Sequence, residues 1–312
     1  MSEYREFNMK TIVVATDFSD ASYAARTCAR QLALRFSAKV LLMHVVEPSA
    51  GSEAEHSQAP LDERIDRAED KLQEMVEALC FDDVRCTMIV RTGDIRETIA
   101  ALVKERNADL LVIGTRGKEH KNGDRLGSVA RQLLRDMPCP VLTVGKYVRQ
   151  DAFEQTHRQI ILFPTDFSKL SSHALAYAER LARHLAARFC ILHVEESGFS
   201  QNPPDRSEEF TRFTKGMRDP SVVSECLTRS GNPADVIASV SLEKWADFVV
   251  MGVHGADAMD SRHEYEVAFD VIRSVRCPVF TIFVAPEEVR RGSERAGSDA
   301  RMTPAATMLQ RS

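Results

Sequence analysis

An internal repeat constrains this chain more than any other feature. Thr16-Asp17-Phe18-Ser19 returns as Thr165-Asp166-Phe167-Ser168, and Met43-His44-Val45 returns as Leu192-His193-Val194, both 149 residues later. Ala108-Asp109-Leu110-Leu111-Val112-Ile113-Gly114 returns as Ala246-Asp247-Phe248-Val249-Val250-Met251-Gly252, and Cys139-Pro140-Val141 as Cys277-Pro278-Val279, both 138 residues later. The shift shortens by eleven residues between these two landmarks, so the second copy has lost that much chain there. A length of 312 residues divides into two units of ~150 residues, each large enough for its own core.

Within each copy, short apolar runs alternate with helical patterns, as in a parallel sheet whose strands are buried on both faces. The runs predict strands over 11–16, 39–46, 84–91, 109–114 and 140–144, then near 159–164, 188–194, 222–228, 247–252 and 278–284. Ala21, Ala24, Ala25, Cys28 and Leu32 form one apolar helical face, with Ser19 placed to cap the helix. Residues 62–79, 94–106 and 128–136 supply three more helices, whereas the second copy's counterpart of 62–79, around Ser207 to Lys215, is truncated. Right-handed crossovers turn this order into an open doubly wound α/β sheet. Its ligand crevice lies at the carboxyl ends of the strands, where strand order reverses. The organisation expected is a first domain over 1–147, a linker over 148–158, a second domain over 159–285 and a disordered polar tail over 286–312.

Several function classes are disfavoured by composition. A formal charge of -5 gives no general attraction to nucleic acid or to an anionic membrane. No apolar run reaches the ~20 residues of a membrane span, and Met1 to Glu6 has no signal-peptide character, so a cytoplasmic protein without membrane insertion is expected. Seven cysteines without a CxxC pair read as mostly buried thiols, not as a disulfide framework or zinc knuckle.

The candidate chemistry follows the fourth strand. Gly114-Thr115-Arg116-Gly117 leads, nine residues on, to Gly127-Ser128. Glycines admit close approach of a backbone to a phosphate, and Gly-Ser opening a helix directs free N–H groups at an anion. Between Gly114 and Gly127 the loop carries Arg116, Lys118, Lys121 and Arg125 against Glu119 and Asp124, a net +2. Asp17, ending the first strand, is placed to accept from an adenine amino group, a ribose hydroxyl or magnesium-bound water. Its alternative role is to cap the following helix. His44 reads as a packed histidine.

The pattern Gly-x2-Gly-x9-Gly-Ser, closed by Pro138-Cys139-Pro140-Val141, resembles the ATP-binding motif of the universal stress protein superfamily, in a tandem two-domain form. The resemblance covers about residues 9–145 and 158–285. It implies two Rossmann-like domains of the adenine nucleotide alpha hydrolase-like type, each an open five-stranded parallel sheet with helices on both faces. It also implies a nucleotide site made of Ala15, Thr16, Asp17, Val45, Gly114, Arg116, Gly117, Gly127, Ser128 and Val129. The ligand implied is ATP or another adenine nucleotide, with Mg as an optional companion. The role implied is regulation in a stress response through protein partners that the sequence does not identify. The two halves are expected to pair through their last strands as an intrachain pseudo-dimer, with a homodimer as a further option.

No Gly-x4-Gly-Lys-Ser/Thr, paired magnesium carboxylates or nucleophile constellation accompanies the glycines, so no catalytic residue is assigned. Slow ATP hydrolysis, autophosphorylation and a scaffold that binds no nucleotide remain the alternatives. In the second copy Gly252 and Gly255 persist, but Tyr265-Glu266 replaces Gly127-Ser128. The loop from Gly252 to Tyr265 carries Arg262 against Asp257, Asp260 and Glu264, a net -2 that disfavours phosphate. His254, Asp257, Asp260 and His263 match no tight metal-ligand spacing and read as a polar loop.

Overall fold

The computed structural model describes residues 8–48, 59–80, 84–115, 126–145, 148, 158–196, 204–254 and 261–284. The first half runs β1 (Thr11–Ala15), α1 (Asp20–Phe36), β2 (Lys39–Val46), α2 (Leu61–Cys80), β3 (Cys86–Thr92), α3 (Ile95–Glu105), β4 (Leu110–Gly114), α4 (Ser128–Asp136) and β5 (Val141–Val144). The second runs β6 (Ile160–Thr165), α5 (Lys169–His184), β7 (Arg188–Glu195), α6 (Ser207–Thr214), β8 (Val223–Ser230), α7 (Pro233–Glu243), β9 (Phe248–His254), α8 (Ser261–Ser274) and β10 (Val279–Val284). Truncation of the counterpart of α2 is evident, since α6 has 8 residues against 20.

The strands form one sheet in the order β3-β2-β1-β4-β5-β10-β9-β6-β7-β8. Every pairing within a half is parallel. The halves meet at an antiparallel β5–β10 pair, with Val279 opposite Thr143, Phe280 opposite Leu142 and Thr281 opposite Val141. Two otherwise free apolar edges are thereby removed. The two five-stranded parallel half-sheets are thus joined into one continuous sheet.

Successive strand residues serve opposite faces, which is why runs such as Val13-Val14 and Leu41-Leu42 are buried throughout. Val14, Leu42, Val112 and Phe163 join α1, α2 and α5 in one core; Val13, Leu41, Leu111 and Val249 join α3, α4, α7 and α8 in the other. Side chains accept orphan N–H groups at four helix starts: Ser19 from Ser22, Asp94 from Glu97, Ser168 from Ser171 and Asn232 from Asp235. Among the described residues, Cys28, Cys139, Cys190 and Cys277 are buried thiols, and Cys226 is exposed. Burial pushes the thiols of Cys28 and Cys139 up to about 12.

Asp109 and Asp247 fall outside the strands predicted to begin with them. Asp109 Oδ2 accepts from the N–H groups of Lys10 and Thr11 at 2.8 and 2.9 Å, and Asp247 Oδ2 accepts from Ile160 N–H at 2.8 Å. Each carboxylate ties the start of its half's first strand to the adjacent strand, so β4 and β9 begin one residue later than the apolar pattern indicates. Asp247 is 1% exposed, and Asp247→Ala would leave the Ile160 N–H without this acceptor. The expected cost is about 1–3 kcal/mol, read as a lower denaturant midpoint at unchanged slope.

Candidate functional site

The reversal of strand order falls between β1 and β4, which are neighbours with Ala15 opposite Ile113. The residues that follow them, Thr16-Asp17 and Thr115, therefore meet at one end of the first half. Thr115 N–H donates to Val144 O and Thr115 O accepts from Gly127 N–H, each at 3.0 Å, which returns the chain to that end as α4 begins. Gly127 is the N-cap of α4 and has no side chain with which to cap it. Gly127 is buried, Val129 half-buried and Ser128 exposed, so the first N–H groups of α4 are presented at the rim. Val45 completes this edge. Met43 O accepts from Thr16 N–H toward β1, while Val46 O accepts from Gly93 N–H on the far side. By the alternation of a strand, the main-chain groups of Val45 point to the β1 side, beyond Ala15. Ala15, Thr16, Asp17, Val45, Gly114, Gly127, Ser128 and Val129 thus share one end of the sheet, whereas Arg116 and Gly117 lie outside the described residues.

Asp17 is not the helix cap; Ser19 is. Asp17 Oδ1 accepts from Ser19 N–H at 3.0 Å in an Asx turn, which sets up that cap. Thr16 Oγ1 accepts from Phe18 N–H at 3.0 Å and donates to Ser22 Oγ at 2.9 Å, and Ser22 Oγ donates to Ser19 O at 2.8 Å. The second half differs at one hydroxyl. Ser171 Oγ donates to Asp166 Oδ1 at 2.6 Å, and Ser168 N–H donates to the same oxygen at 2.9 Å. Burial raises the pKa of Asp166, but these hydrogen bonds outweigh it and hold the group below the ordinary carboxylate value. Ser22 is engaged with Thr16 and Ser19, Ser171 with the carboxylate itself.

A ring pair repeated in both halves lies beside this turn. Phe18 has φ 61° and Phe167 φ 62°, in the left-handed region that bulky residues avoid. Their rings pack on His44 and His193, in each case at 4.5 Å between centroids, while each histidine Nδ1 bonds the carbonyl of Thr16 or Thr165 at 2.7 or 2.8 Å. The signal was present as two repeats at the same 149-residue shift, Thr-Asp-Phe-Ser and His-Val. His44 is a packed histidine, and its recurrence in the second half shows that the stack belongs to the fold.

Comparison of the halves separates glycines kept for packing from those peculiar to one half. A Cβ on Gly114 would lie 2.8 Å from Ala21 C and 2.9 Å from Ser22 N, at the start of α1. On Gly252 it would lie 3.1 Å from Ala174 Cβ and 3.2 Å from Leu170 Cγ of α5. The first glycine thus lets a helix approach the sheet in both halves. Gly127-Ser128 has no such counterpart. By the 138-residue shift α8 should open at Glu266, but it begins at Ser261, five residues earlier, so helix occupies the place of the glycine cap. An opening of about 370 Å³ lies elsewhere, between α6 and β8 beside Phe210, Val223 and Cys226. It follows from the shortness of α6 and brings together no phosphate-binding set.

Gly114→Ala should lower stability by about 1–3 kcal/mol, because the clash is with backbone and a buried alanine. Gly145→Ala, whose nearest neighbour would be 3.8 Å away, meets no such contact and serves as the control in thermal melts.

Among the described residues, no helix is long and apolar enough to cross a membrane, and no group of three His, Cys, Asp or Glu side chains could hold a metal ion. The family model described as Universal stress protein family matches residues 8–145 and 157–282. Universal stress protein MJ0531 of Methanocaldococcus jannaschii is 32% identical over 140 residues, covering 44% of this chain and 82% of its own. A Thermus aquaticus universal stress protein encoded in the QAH/OAS sulfhydrylase 3' region is 33% identical over 137 residues, covering 43% and 98%. A universal stress protein structure from Archaeoglobus fulgidus superposes with a TM-score of 0.68 at 22% identity, covering 89% of this chain and 99% of that one, and so shares the whole two-half fold. With the family model matched once in each half, on either side of the β5–β10 seam, the chain belongs to the universal stress protein family.

Proposed function

We propose that this chain is a cytoplasmic regulatory protein that binds one adenine nucleotide, ATP first among them, in its first half. The reading takes 1–147 as the nucleotide-binding domain, 148–158 as the linker and 159–285 as a degenerate domain that serves as its partner. The observation that carries it is the glycine-capped start of α4, held by Thr115 at the reversal of strand order, in one half only. A helix start without a side-chain cap, facing a strand-end crevice, suits an anion, and the fold family gives the phosphate of a nucleotide as the natural occupant.

In this reading the N–H groups of Ser128 and Val129 and the Ser128 hydroxyl bind phosphate, and Arg116 and Gly117 of the intervening loop are proposed as further contacts. The Asp17 carboxylate and the main-chain groups of Val45 face the ribose and base. Magnesium, where it accompanies the nucleotide, would meet the Asp17 carboxylate through its bound water. The Asx turn that Asp17 makes to Ser19 fixes the carboxylate before any ligand arrives, which lowers the ordering cost of binding.

Denaturing the freshly purified protein and weighing the released small molecule should identify an adenine nucleotide. Calorimetry with ATP should give a stoichiometry near one, and Gly127→Glu with Ser128→Ala should remove the signal. A stoichiometry of two, or full affinity in that double variant, would place binding elsewhere. Asp17→Ala should weaken binding by about 1–3 kcal/mol through the lost charged hydrogen bond, while the Ser19 cap keeps α1 folded.

A further inference from the structure

The β5–β10 seam has an internal symmetry that the repeat makes exact in numbering. Leu142 and Phe280 differ by the 138-residue shift and stand directly opposite each other. Val141 and Val279 are likewise equivalent, as are Thr143 and Thr281. The hydroxyl of Thr143 donates to Val279 O at 3.3 Å, and that of Thr281 donates to Val141 O at 3.1 Å. A pseudo-twofold axis therefore passes through the Leu142–Phe280 pair. On the other face of the sheet the same shift relates Arg131 of α4 to Phe269 of α8, and these two also meet. The Arg131 guanidinium lies 5.5 Å from the centre of the Phe269 ring.

Residues on such an axis decide which copies pair, because each meets its own counterpart. Both axis positions here hold unlike residues. Pairing two first halves would set Arg131 against Arg131 and Leu142 against Leu142, placing guanidinium on guanidinium and two small side chains where a large one fills the core. Pairing two second halves would set Phe280 against Phe280. That crowds a site where the one ring, fully buried, already packs 5.9 Å from Phe248 and 6.3 Å from Tyr177. The buried Arg131 Nε has no hydrogen-bond partner among the described residues, so the Phe269 ring is the group its cation faces across the axis.

We propose that Arg131 against Phe269 and Leu142 against Phe280 select pairing between the two unlike halves of this protein and disfavour pairing of either half with its like from another chain. The seam is thereby a specificity device as well as a cover for two strand edges.

The test is a pair of exchange cycles in the full-length protein. Phe269→Arg places arginine at both axis positions of one chain, reproducing the pairing of two first halves, and should lower Tm by about 5 °C. Adding Arg131→Phe restores the unlike pair with its members exchanged, and Tm should return to within about 2 °C of wild type. Phe280→Leu and its exchange partner Leu142→Phe with Phe280→Leu test the other face in the same way. If Phe269→Arg melts with wild type, or if adding Arg131→Phe brings no recovery, the selection does not exist as described. Should Phe269→Arg fail to fold, a soluble exchanged variant with near wild-type Tm supports the proposal, and an equally insoluble one overturns it.

Discussion

The rest of the molecule depends on three opposed residue pairs. Val141, Leu142 and Thr143 against Thr281, Phe280 and Val279 turn two half-sheets into one, and all six residues are buried. Without this contact each half would carry an apolar last strand with unpaired N–H and C=O groups, the edge most prone to uncontrolled association. With it, the edges of the sheet move outward to β3 and β8, which carry Arg91, Glu225 and Arg229 and are mostly half-buried or exposed. Charges at such edges oppose further strand addition. The two threonines add side-chain hydrogen bonds across the seam in this register, which helps to fix how far one half is slid along the other.

The architecture was legible because buried parallel strands read as continuous apolar runs, and because the repeat made each half a check on the other. Ten strands and the short α6 follow from those two signals, whereas the joining of last strands was implied by the family resemblance. Boundaries were less legible where polar side chains take over backbone work. Asp109 and Asp247 sit beside apolar residues and read as strand, yet each uses its carboxylate to hold the adjacent strand, a contact between residues 87 to 99 positions apart. Periodicity is local and carries no trace of such a partner.

The site was legible as a set of residues and illegible as a division of labour. Gly114 reads as part of a phosphate motif, but its missing Cβ is required by Ala21 and Ser22, as that of Gly252 is required by Leu170 and Ala174. The first glycine of the motif therefore has a packing reason to persist in a half that has lost the closing Gly-Ser. Asp17 reads either as a ligand contact or as a helix cap; it supports the cap, Ser19, through a turn. The forward extension of α8 to Ser261 had no signal in periodicity, although it is the backbone event that sets the second half apart. Tyr265 and Glu266 mark the lost motif; only the structure shows a helix in its place.

An antiparallel join between two parallel half-sheets has a geometric result for the crevices. The carboxyl ends of β1, β2 and β4 point one way along the sheet, and those of β6, β7 and β9 point the other. The crevice rimmed by α4 and its altered counterpart beside α8 therefore open toward opposite poles of the molecule. A molecule bound at one pole therefore makes no steric claim on the other. Any influence between them must be carried through the packed sheet and helices as a coupling free energy, equal in both directions.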